Sequence, residues 1–291
     1  METRWLYTTS NNFTALREAA KDTCIIPMGC IEKHGPHLPL GTDIIEASAI
    51  AYEASQIEPI CIGPDFAFGD TLPAAAPTAH PGYITISLNT MMTLLEELCD
   101  QAAKNGFKKV GVLNFHGGNS YWLNTFARYT WSKKKDYDFF ILPPILMAPH
   151  KMAEKILAEG PEVFPELTKE DVELLLKYHE ENIKIGHGGF GETSIVMSVT
   201  PESVKLDALG EESGLSNHKM DYLREAKITI QSGGWDYEYP NSFSGHDPIG
   251  CNERIGKAAM RMTAEHYAKQ FKVIKEDTLL EELREKRQMG W

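Results

Sequence analysis

Residues 29–43 read GCIEKHGPHLPLGTD and bring Glu32, His34, His37 and Asp43 within twelve residues of one another. A chain that needed only a turn would have no use for so many ionisable donors in one loop. A chain that holds a cation would. The run just before it, TCIIPM at 23–28, has the length and β-branched content of a buried strand. In extended backbone, residues i and i+2 point the same way, so Glu32 and His34 converge just past the strand end. Asp43 follows nine residues after His34, where a helix begins, and a helix N-terminus favours an ionised carboxylate. Taken singly, Asp43 also suits a plain helix start, Glu32 a solvated charge, and His34 and His37 a turn. Their proximity is what favours the cation.

Two further stretches carry the same residue types. NFHGGNS, at 114–120, puts His116 at the end of the strand-like KVGVLN, followed by two glycines that let backbone approach a ligand closely. GHGGFGETS, at 186–194, carries His187 and Glu192. Its Gly186-x-Gly188-x-x-Gly191 spacing matches a dinucleotide fingerprint. However, a charged helical stretch precedes it and a strand-like TSIVMSV at 193–199 follows, so the required strand-to-helix context is missing. No G-x-S-x-G elbow is present, which argues against a serine triad. Glu32, His34, Asp43, His116 and Glu192 together suit one or two divalent ions, zinc, manganese or iron. One carboxylate could bridge a pair, a water held there would supply hydroxide near neutral pH, and His187 could shuttle protons.

The elements that must position these residues alternate. Strand-like runs at 23–28, 59–63, 109–114, 138–143 and 193–199 are separated by helical patterns at 43–56, 86–105 and 120–134. The first helix opens with Asp43-x-x-Glu46, a near capping box. Such alternation predicts an α/β chain with a mostly parallel sheet and helices on both faces. Residues 150–185 are charged and helix-rich, an excursion from the scaffold, and 231–252 form a long ordered loop. Within that loop Trp235, Tyr237 and Tyr239 either line a pocket or pack the loop itself. With no linker, repeat or low-complexity segment, residues 1–291 read as a single domain. Helices at 253–271 and 278–288 close the chain.

The balance of 29 basic against 41 acidic residues, a net charge of −12, argues against nucleic acid or an anionic membrane as partner. No secretory signal or bilayer-spanning run is seen, and five scattered cysteines form no CxxC pair. A cytoplasmic protein without a disulfide framework or a thiolate zinc site is expected.

The stretches MGCIEKHGPHLPLGTD, NFHGGN and HGGFGETS, in that order across residues 28–194, resemble the creatininase (creatinine amidohydrolase) family, and GHDPIGCNERIGKAAM is similar to the start of that family's last helix. The resemblance implies a three-layer α/β/α sandwich, a binuclear metal centre, hydrolysis of a non-peptide C–N bond in a small cyclic or linear amide, and homo-oligomers, commonly hexamers. It implies Glu32, His34, Asp43 and His116 as metal ligands, Asp43 as the bridge, and His187 as the catalytic histidine. Creatininases themselves are similar to HYEN where this chain has His116-Gly117-Gly118-Asn119, so the carboxylate absent there is expected from Glu192. Branches sharing the double glycine deformylate formamides or trim a short peptide. These are the alternative substrates, beside a non-catalytic metal- or ligand-binding role.

Overall fold

The computed structural model describes residues 1–71, 81–230 and 234–289, apart from the side chain of Arg287. Its sheet has four parallel strands, β1 (Thr23–Met28), β2 (Cys61–Ile62), β3 (Lys109–Asn114) and β4 (Asp138–Leu142), in the order β2-β1-β3-β4. β1 and β3 are buried at every position, which is why both read as continuous rather than alternating runs. Their register pairs Thr23 with Lys109 and Met28 with Asn114, so the two strands end level. The loops that carry Glu32 and His116 therefore leave the same edge side by side.

Helix α1 (Ser10–Ala19) precedes β1. α2 (Thr42–Ile57) packs on β1 and β2, while α3 (Leu88–Lys104) and α4 (Asn119–Trp131) pack on β3, β4 and each other. The right-handed rule for parallel connections puts the first on one face of the sheet and the other two on the opposite face. After β4 come α5 (His150–Glu159) and α6 (Lys169–Glu180), the charged excursion, then α7 (Phe190–Val199). Two short helices, α8 (Asp221–Glu225) and α9 (Trp235–Glu238), lead into α10 (Glu253–Glu276) and α11 (Leu279–Gln288). α2, α7 and α10 pack on one another, which completes the expected α/β/α layering.

Three expectations need correction. TSIVMSV is not a strand: it is the body of α7, and Thr193, Ser194, Ile195 and Val196 are all buried. Its β-branched residues favour extended backbone, but burial between α2 and α10 overrides that preference. Gly256 of α10 comes so close that a Cβ there would meet the Ser194 carbonyl. The run at 59–63 is paired only at Cys61 and Ile62. Asp43 does not cap α2 either: the N-cap is Gly41, and no side chain caps the helix. The carboxylate is turned elsewhere.

Side-chain pairs lock the later segments down. Asp171 closes a capping box with Thr168 at the start of α6 and reaches across to Arg254 (2.7 Å) and Asn252 (2.8 Å) at the start of α10. The long loop expected at 231–252 contains α9, and its residues 231–233 lie outside the described residues. Among the described residues no helix is long and apolar enough to cross a membrane.

Candidate metal centre

The chain leaves β1 through Gly29, where a Cβ would lie 2.6 Å from the Ile44 nitrogen and 2.7 Å from the Asp43 Cβ. Only glycine lets the first turn of α2 come this near, and that approach brings Asp43 over the strand end. The loop is closed by the Glu32 N–H donating to the Leu40 carbonyl (2.9 Å) and held from outside by the Gly35 N–H donating to Ser242 (2.8 Å). At the end of β3, Asn114 donates to the His116 carbonyl (2.8 Å), and Asn119 donates to Asn114 (3.0 Å). That network fixes the second loop against the first.

The expected site residues come together as two adjacent groups that share Asp43. Its Oδ2 lies 3.0 Å from His116 Nδ1, which is itself 3.0 Å from Glu32 Oε1. Its Oδ1 lies 2.9 Å from His34 Nε2, and Glu192 in the first turn of α7 joins that pair. His187 stacks on His34 with ring centroids 3.9 Å apart, and its Nδ1 lies 3.8 Å from Glu32 Oε1. All three rings are anchored alike. His116 Nε2–H donates to the Asp70 carbonyl (2.6 Å), His34 Nδ1–H to Glu32 (3.3 Å) and His187 Nε2–H to Lys33 (2.8 Å). The nitrogen that remains on each ring faces the carboxylates. An imidazole tied down through one N–H so that its other nitrogen is free is how proteins orient a metal ligand.

The electrostatics agree. Burial alone would raise Asp43, but His34 and His116 hold its carboxyl well below the usual range. Glu32 is lowered in the same way, its burial outweighed by His116 and His187. Burial opposes charge on His34, yet Asp43, Glu192 and Glu32 raise it to about 9. His116 is pushed well up against its own burial, chiefly by Glu32. These protonated rings balance carboxylates that a cation would otherwise balance. Burial carries Glu192 up to about 7, and burial together with His34 takes His187 down to about 4.

Of the other candidates, His37 turns away and hydrogen-bonds Thr193. Trp235 stands edge-on to His187 with centroids 5.1 Å apart, and Tyr239 follows at 5.5 Å, whereas Tyr237 is exposed. Two buried residues near the donors were not among the expected site residues. Cys30 is wholly buried, and its Sγ lies 3.1 Å from Asp43 Oδ2, a position beside the carboxylates that the cysteine spacing alone did not indicate. The signal was present, because Cys30, Glu32 and His34 are spaced i, i+2, i+4, the spacing that puts side chains on one side wherever backbone is extended. Glu46, one turn after Asp43, is buried with Oε1 lacking a hydrogen-bond partner. Burial, then Glu192 and Asp43, keep its carboxyl well above the usual range.

A parallel three-layer α/β chain with clustered imidazoles and carboxylates at the carboxyl ends of its strands is the class that fold and site define. Residues 7–271 match the family described as creatinine amidohydrolase, and the chain belongs to that family. A mycofactocin precursor peptide peptidase of Mycolicibacterium smegmatis is 32% identical over 101 residues, 33% of this chain and 39% of that one. A 2-amino-5-formylamino-6-ribosylaminopyrimidin-4(3H)-one 5'-monophosphate deformylase of Methanococcus maripaludis is 32% identical over 115 residues, 39% and 48% of the two chains. The match thus spans about half or less of these relatives' own length. A creatinine amidohydrolase of Pseudomonas putida is 21% identical over 199 residues, 66% of this chain and 70% of that one. In fold, the chain is similar to a Bacteroides fragilis protein described as a creatinine amidohydrolase, with TM-score 0.68, 20% identity, and coverage of 96% and 99%. It is also similar to a manganese creatininase, with TM-score 0.66, 15% identity, and coverage of 95% and 100%.

Proposed function

We propose that the protein is a metal-dependent amidohydrolase that cleaves the C–N bond of a small cyclic or linear amide. The observation that carries this reading is the Asp43 carboxylate shared between two donor groups, with Glu32 and His116 on one side and His34 and Glu192 on the other. These five residues would hold two divalent ions, and zinc, manganese or iron suits their nitrogen and oxygen donors. Bound there, such ions polarise a carbonyl and make water nucleophilic near neutral pH.

His187 moves the proton. With Nε2–H fixed on Lys33, its lone pair is at Nδ1 on the side of Glu32, and its lowered pKa of about 4 keeps the ring neutral at pH 7. Nδ1 therefore accepts a proton from the attacking water as oxygen adds to the carbonyl carbon. It then returns that proton to the nitrogen as the C–N bond breaks. Trp235 stands beside His187 and is backed in turn by Tyr239.

Two narrower substrates, a formamide or a short peptide, are favoured by the deformylase and peptidase relatives. We assign assembly as a homo-oligomer, with a hexamer as the form to test by light scattering. The deciding experiment is dialysis against chelator, reloading with zinc, manganese or iron, and assay on creatinine, other cyclic amides, formamides and short peptides. Hydrolysis of one class that is lost with chelator and restored by metal supports the reading. Hydrolysis indifferent to chelator, or none on any class with metal bound, overturns it.

A further inference from the structure

We propose that Cys30 is a direct sulfur ligand to the ion held by Glu32, Asp43 and His116, making the two halves of the centre chemically unequal. The inference rests on the metal centre proposed above and concerns a residue outside the five ligands assigned there.

The geometry is specific. Cys30 follows β1 by two residues, and its sulfur comes to the same place as the Glu32 carboxylate. Its Sγ is 3.1 Å from Asp43 Oδ2, the same oxygen that lies 3.0 Å from His116 Nδ1. One atom from each of Cys30, Glu32, Asp43 and His116 lies within 4.8 Å of every other, and all four side chains are buried. Among the described residues, Cys30 is the one cysteine in any such group; Cys24, Cys61, Cys99 and Cys251 are free thiols buried elsewhere.

The donor count gives this a consequence. With Cys30 the first group offers four protein donors, whereas His34, Asp43 and Glu192 offer three. Four protein donors make a closed site and three leave a position open, the division between structural and catalytic zinc. The first ion is then the retained one, and substrate engages the second. A thiolate also biases the first position toward zinc over manganese, since soft sulfur suits zinc while manganese prefers oxygen. The thiol proton passes to solvent as the cation enters, so charge and atoms balance. The competing arrangement keeps the proton on sulfur, with Cys30 donating a hydrogen bond to Asp43 and touching no ion.

Cobalt(II) separates the two. Full-length protein is stripped with chelator and reloaded with cobalt. Cobalt per chain and the absorption spectrum are then measured for wild type, Cys30→Ser and Cys30→Ala, with circular dichroism reporting the fold. About two ions per chain, visible cobalt bands and a near-ultraviolet sulfur-to-cobalt charge-transfer band are expected in wild type. The variants should keep the visible bands and lose the ultraviolet one. Cobalt bound in wild type without that band overturns Cys30 as a ligand while leaving the metal centre intact, as does a band that survives in a folded variant. Wild type that binds no cobalt overturns both. If neither variant folds, the wild-type spectrum decides alone, because the other four cysteines lie outside the donor groups.

Discussion

His37 and Thr193, 156 residues apart, are joined by a 2.9 Å hydrogen bond from Nε2 to Oγ1. Thr193 passes its own proton to the Gly188 carbonyl (3.2 Å), so the opening loop, the His187 loop and α7 are linked by one hydroxyl. His37 is thereby a buried fastener, and burial lowers its ring to about 4, which keeps it neutral. Glu192 sits beside Thr193 at the start of α7, so the bond fixes how that carboxylate meets His34.

Thr193→Val keeps the shape and removes the hydroxyl. The stranded donor of His37 should cost about 1–3 kcal/mol, read from urea unfolding of metal-free protein. Metal analysis should show a loss from the His34–Glu192 side first. Unchanged stability with full metal content would contradict the fastening role.

Gly117 and Gly118 look interchangeable in sequence and differ in space. A Cβ at Gly118 would sit 2.5 Å from His116 Nε2 and 2.8 Å from the Asp70 carbonyl, while at Gly117 it would meet nothing within 4 Å. Gly118→Ala should therefore displace His116 and lower metal affinity at least tenfold, about 1.4 kcal/mol. Gly117→Ala should leave affinity alone. Titration calorimetry of both variants checks the contrast, and equal behaviour would sink it.

Cation uptake must displace protons from the site. His34 is raised to about 9 and His116 well above its ordinary value, so without metal both rings carry protons that ligation removes. Apparent affinity should accordingly rise with pH up to and through about 9, where His34 gives up its proton. Competition with a chromophoric chelator across that range measures it. Affinity independent of pH would mean these rings are not ligands.

Acid stability has a separate source in Asp171. Its carboxyl loses solvent, but Arg254, the Thr168 N–H and Asn252 bring it from 3.8 to about 2. A folded pKa below the unfolded one contributes stability that is complete above the ordinary value and disappears as pH falls through the folded one. The window is therefore about 4 down to about 2. Arg254 is half exposed, so solvent screening reduces its share, and the Thr168 N–H and Asn252 supply the rest. Asp171→Asn should remove that contribution at neutral pH and flatten the unfolding free energy across the window. An unaltered pH profile would rule Asp171 out as the source.

Much of the site was legible because it lies on local chain geometry. Glu32 and His34 alternate on one segment, Asp43 falls at a helix start, and His116 ends a strand whose burial makes it continuous. What was hidden depends on tertiary packing. TSIVMSV favours a strand in isolation, and only its place between α2 and α10 makes it helical. Cys30 was set aside on a count of cysteines, a criterion suited to all-sulfur sites and blind to a single thiol beside two carboxylates and a histidine. His37 stood in the same loop with no role assigned, because spacing does not reveal a partner 156 residues away.

The central claim is that Asp43 joins two ions, and metal content per chain tests it most directly. Elemental analysis of wild type and Asp43→Ala, purified without a metal-binding tag, should give about two ions in the first and below one in the second. One ion or none in wild type, unchanged in Asp43→Ala, would contradict the shared centre and the hydrolytic reading built on it.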